Sequence, residues 1–115
     1  MDASESGDIR QEALAIMKEI AFSVKDIHAA KSLPWLFEIC YINVITQEGK
    51  NYCIEVTASG WRIVGYENNK IDADNPSDYY ETLYSLLDNY SPLYRESFGQ
   101  AVIAKLNKFK ETDPQ

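Results

Sequence analysis

At 115 residues, 45% of them hydrophobic and 12% aromatic, the chain fits one compact domain with a real core. A formal net charge of −7 argues against a nucleic-acid partner, because phosphate binding depends on clustered Lys and Arg that this chain lacks. No run reaches the roughly 18 apolar residues of a membrane span and no basic-then-apolar leader precedes the body, so a soluble cytoplasmic protein with reduced thiols is expected, with the nucleus as a further location.

The first seven residues, MDASESG, are small, polar and acidic and are expected to form a disordered tail ahead of a single domain over 8–111, with 112–115 fraying. Asp8 is a plausible cap for a helix in which Ile9, Ala13, Ile16, Met17, Ile20, Val24 and Ile27 recur at three and four, with charged residues on the other face. Leu14, Ala21 and Phe22 widen that apolar surface and leave a flank for a partner. Pro34 breaks the pattern. Two β-rich runs, Phe37–Ile45 and Asn51–Thr57, then flank a polar turn containing Gly49 and predict an antiparallel hairpin. After a second turn at Ala58-Ser59-Gly60, Trp61–Tyr66 makes a third strand, and Ile71 is a candidate start for a short fourth.

Ser77 or Asp78 is expected to cap a helix carrying Tyr80, Leu83, Tyr84, Leu87 and Tyr90, with Glu81 placed as in a capping box. A last helix opens at Ser91-Pro92 and runs to about Lys110, because Ser caps free N–H groups and Pro at the first helical position wastes no donor. Phe98, Val102, Ile103, Leu106 and Phe109 fall on one broad face of it. The fold class is α+β: an N-terminal helix, a three- to four-stranded antiparallel meander and two C-terminal helices.

Nothing in the pattern supports catalysis. His28 is the lone histidine, with no Ser or Cys in a nucleophile motif, and is expected near a helix end. Cys40 and Cys53 with one histidine cannot furnish a structural zinc site, although the two could face each other across a strand pair. Asp72, Asp74, Asp78 and Glu81 lack the spacing and glycine of a calcium loop and suit a solvated loop and helix start. No catalytic residue, metal or cofactor is expected, and the chain reads as a binding module. The apolar face of the last helix either closes the core or lies in a partner's groove.

Tyr41-Ile42-Asn43-Val44, Tyr52–Gly60, Val64-Gly65-Tyr66, Tyr80–Asp88 and above all Ser91-Pro92-Leu93-Tyr94-Arg95-Glu96-Ser97-Phe98-Gly99 resemble the glycogen synthase kinase-3 interaction protein family, over about Asp8 to Lys110. A related domain occurs in clustered-mitochondria proteins. The resemblance implies a non-catalytic protein whose C-terminal helix docks on glycogen synthase kinase-3, can inhibit it toward some substrates and is similar to the kinase-binding helix of axin. The matching positions are Phe98, Val102, Ile103, Leu106 and Phe109, with Leu106 at the family's central leucine; Asn107 stands where an acidic residue is common, and Phe109 is bulkier than the usual aliphatic. Vertebrate members also anchor the regulatory subunit of protein kinase A through the first helix, at positions matched by Met17 and Ala21. Ala21 is small where that branch has a larger aliphatic, a difference of roughly 2 kcal/mol in burial.

Overall fold

The computed structural model describes residues 8–97. Helix α1 (Ile9–Ile20) leads through a 3₁₀ turn (Ala21–Ser23) into strand β1 (Asp26–Ala29). Strands β2 (Cys40–Ile45), β3 (Asn51–Thr57) and β4 (Gly60–Gly65) follow, then helix α2 (Leu83–Tyr90). A further helix, α3, opens at residue 92 and is described through 97. The strands form one antiparallel sheet in the order β1-β2-β3-β4, so the α+β meander expected from the sequence is the fold.

The sheet is buried on both sides in its middle, and its strands divide their side chains between two clusters. Ile42, Val44, Tyr52, Ile54, Val56, Trp61 and Ile63 join Ala13 and Ile20 of α1 and Leu83, Leu86 and Leu87 of α2 in the main core. On the opposite face Tyr41, Cys53 and Val64 pack with Ala30, Leu33 and Ile39 of the segment between β1 and β2. Residues i and i+2 of a strand share a face, which is why Ile54 and Cys53 serve different clusters. Cys40 belongs to the first cluster and Cys53 to the second. The two thiols are free and buried, and Cys40 pairs with Val56 while Cys53 pairs with Asn43. They do not face each other across a strand pair.

Several sequence expectations need correction. The first helix stops at Ile20 and does not reach Val24 or Ile27. Lys25 N–H donates to the Ile45 carbonyl at 2.8 Å, and Asp26 to Ala29 then pair with Ile45 to Ile42. His28 therefore lies on a strand, with Nδ1 2.9 Å from an Asp26 oxygen. The fourth strand is this one, at the opposite edge from Ile71, which sits exposed in a loop. Strand β2 begins only at Cys40, because Leu36 and Ile39 bond each other's backbones in a turn. Helix α2 starts at Leu83, not near Ser77 or Asp78, and its cap is Thr82, whose hydroxyl accepts from Ser85 N–H at 3.1 Å. Ser77 instead accepts from Ile63 N–H at 2.9 Å, and Tyr80 exchanges two backbone bonds with Trp61, at 2.7 and 2.8 Å. The stretch read as helix start thus closes the β4 edge, which hides its unpaired backbone groups.

The hairpin between β2 and β3 forms as expected. Gly49 takes φ +84, a region closed to most residues, and its N–H donates to the Thr46 carbonyl at 2.8 Å. Asp8 caps α1 by accepting from Arg10 N–H at 3.1 Å, and the Arg10 guanidinium returns to the same carboxylate at 2.9 and 3.1 Å.

Candidate partner-binding face and its anchor

The docking positions expected from the sequence, Phe98, Val102, Ile103, Leu106 and Phe109, lie outside the described residues. The structure instead gives the root from which they depart. Ser91 is fully buried, and its N–H closes α2 onto the Leu87 carbonyl at 2.8 Å. Its hydroxyl accepts from Tyr94 N–H at 3.1 Å, the capping bond expected of a Ser before Pro. The same hydroxyl donates to Glu48 Oε1 at 2.7 Å, and Glu48 Oε2 accepts from Leu93 N–H at 2.7 Å. Arg95 N–H reaches the Ser91 carbonyl at 3.0 Å.

The first turn of α3 is therefore fully accounted for. Pro92 has no N–H, and the donors of Leu93, Tyr94 and Arg95 each have a partner. A carboxylate at this end also complements the helix dipole. Partial burial pushes the Glu48 carboxyl up, but the bonds from Leu93, Ser91, its own backbone and Thr46 outweigh it and hold the group below the usual carboxylate range. Tyr94, 1% exposed, plants the helix in the main core, while Leu93 stays 44% exposed. Arg95 sits 3.6 Å from Asp88 in an exposed ion pair, which contributes little. At this corner Tyr80, Tyr84 and Tyr90 are half-buried, whereas Tyr79 is exposed and Tyr94 buried. Tyr90 packs edge-on against both Tyr52 and Tyr80.

Sequence reasoning missed Glu48. It marked a turn in Gln47-Glu48-Gly49-Lys50, but no local signal ties that turn to a serine 43 residues later.

The two first-helix positions lie together. Met17 is half-buried against the core and Ala21 exposed, and both line a shallow groove of about 520 Å³ with Leu14, Ala15, Lys18 and Ile27. Leu14 and Phe22 are exposed beside them, at 52% and 72%. Ala21 belongs to the 3₁₀ turn, so α1 itself ends one residue short of it.

On the other sheet face a buried carboxylate organises a polar cluster. Glu55 accepts from Arg62 Nε at 2.9 Å, Tyr79 hydroxyl at 3.0 Å and Tyr41 hydroxyl at 3.2 Å, and the Arg62 guanidinium lies 4.6 Å above the Tyr79 ring. Every strong group there has a partner, so the cluster reads as structural. The acidic loop is likewise self-satisfied: Asp72 accepts from Asp74 N–H and from the Asn75 amide. Among the described residues no three His, Cys, Asp or Glu side chains converge as metal ligands, and no helix is long and apolar enough to cross a membrane.

Comparison with known proteins gives this geometry its context. The chain is 40% identical over 111 residues to the GSK3-beta interaction protein of Danio rerio, covering 96% of this chain and 84% of that one. It is 39% identical over 109 residues to the GSK3B-interacting protein of Homo sapiens, covering 95% and 78%. A Protein GSKIP homolog of Drosophila melanogaster matches 61% of the chain at 38% identity. The GSKIP domain model matches residues 9–109, spanning α1, the whole sheet, both C-terminal helices and every expected docking position, and the chain accordingly belongs to the GSKIP domain family.

Proposed function

We propose that this protein is a non-catalytic partner of glycogen synthase kinase-3 that docks through Phe98, Val102, Ile103, Leu106 and Phe109 and modulates the kinase in an axin-like manner. The names of its relatives supply the partner. The observation that carries the docking mode is the root of α3, where only Tyr94 of residues 92–97 is buried. Beyond that root, Val102, Leu106 and Phe109 recur in the sequence at the four- and three-residue spacing of one helical face, with Lys105 and Lys108 between them. An apolar stripe of that kind is suited to a partner's groove. The mechanism is occupancy of a groove outside the ATP site, which excludes axin-like scaffolds. Titrating an axin peptide into the preformed complex tests this: mutual displacement is expected, and simultaneous binding overturns the shared groove.

One observation favours a second reading. The exposed flank of α1 and the 3₁₀ turn after it, with Leu14 and Phe22 near Met17 and Ala21, offers apolar area to a helical partner such as the regulatory subunit of protein kinase A. Pull-down of that subunit by the natural chain and by Met17→Asp supports it if only the natural chain binds, and discards it if neither does.

A further inference from the structure

We propose that Glu48, in the turn between β2 and β3, is a positioning residue for kinase docking, fixing the direction in which α3 leaves the sheet and hence the presentation of its apolar face. The inference rests on the docking reading above. Its basis is the placement of two bonds of 2.7 Å from one carboxylate onto the first turn of α3, one to the Ser91 hydroxyl and one to Leu93 N–H. Bonds to an ionised acceptor are the stronger kind. Glu48 is itself held, since its turn closes between the paired residues Ile45 and Asn51, and Thr46 N–H bonds the Lys50 carbonyl at 2.9 Å. The sheet thereby dictates where the helix starts through an atom pair that contributes nothing to the apolar core.

Lever arithmetic shows why the root matters. A helix rises about 1.5 Å per residue, so a tilt of about 20° at its root displaces a point about 20 Å further along by roughly 7 Å. Tyr94 pins one point of the helix in the core; Glu48 supplies the second contact that removes rotation about it. A helix with fixed direction loses less freedom on binding, and that saving appears as affinity.

The test uses the full chain with Glu48→Ala, Glu48→Gln and, as a control, Glu67→Ala, whose exposed carboxylate pairs only loosely with Lys70 at 3.6 Å. Calorimetry against the kinase is combined with amide hydrogen exchange of the free protein. Expected are a Kd raised about tenfold in Glu48→Ala and about threefold in Glu48→Gln, which keeps one acceptor oxygen, with no change in Glu67→Ala. Exchange should rise at Leu93 and Tyr94 while the amides of β3 keep their protection. An unchanged Kd despite faster exchange at Leu93 overturns positioning. Equal loss of protection across β3 also overturns it, because Glu48 is then a general stabiliser. If the natural chain fails to bind, the docking reading falls and takes this inference with it, an outcome visible before any variant is compared.

Discussion

Replacing Glu55 by alanine removes the acceptor for three donors at once, and their burial sets the cost of each. Tyr41 is 7% exposed, so its hydroxyl is left without water or partner, which costs about 1–3 kcal/mol. Arg62 and Tyr79 are exposed enough for solvent to replace their bonds in part, adding about 1 kcal/mol together. A total near 3 kcal/mol lowers Tm on the order of 10 °C for a chain of this size. Glu55→Gln, which keeps one acceptor, should lose about 2 kcal/mol, and Tyr79→Phe about 0.5 kcal/mol. Urea unfolding followed through tryptophan fluorescence, with Trp61 buried in the main core and Trp35 packed against it, reads all three. The reasoning is refuted if Glu55→Ala costs less than about 1 kcal/mol, or if Tyr79→Phe costs as much as Glu55→Ala.

Two glycines should separate conformational strain from steric clash. Gly49→Ala meets no atom within 4 Å but keeps φ +84, and should cost about 1 kcal/mol; Gly60→Ala combines φ +126 with a Cβ placed 2.4 Å from the Tyr80 carbonyl oxygen, and should cost at least about 3 kcal/mol in the same urea assay. Alkaline pH should destabilise the fold. Burial first, then the Glu55 carboxylate, pushes the Tyr41 phenol up to about 12; the bond to Glu19 does so for Tyr84, and burial for Tyr94. A raised phenol pKa favours the neutral folded form, so its contribution is complete below pH about 10 and disappears as pH rises toward about 12, which phenolate absorbance of native and urea-unfolded protein will check. Burial pushes the Cys40 thiol up to about 11, so Cys40 and Cys53 should react with a thiol reagent much more slowly in the native protein than in urea.

Much of the fold was legible because its signals are local. The β-rich run Asn51–Thr57, Gly49 in the turn, Asp8 before α1 and Ser91-Pro92 before α3 each act through neighbours a few residues away. The misreadings arose where two periods overlap. Val24 stands four residues on from Ile20 and Ile27 three on from Val24, a spacing that fits a helix, yet both become extended in and before a four-residue strand too short to show its own period, with no Gly or Pro to mark the change. Asp78 and Glu81 have capping-box spacing, but the β4 edge claims Tyr80 first, and Thr82 caps the helix instead. The anchor of the candidate site was illegible for a different reason: Glu48 and Ser91 meet only once the sheet and α2 have folded.

The central claim is that the last helix carries an apolar face for the kinase and not for the core. A calorimetric titration of glycogen synthase kinase-3 with the natural chain and with Leu106→Ala, each accompanied by its melting temperature, tests it most directly. The account predicts binding by the natural chain and an affinity at least about tenfold weaker for the variant, with nearly the same Tm. A loss of about 2–5 kcal/mol in the stability of Leu106→Ala would place that leucine in the core, and unaltered kinase binding by the variant would contradict the claim outright.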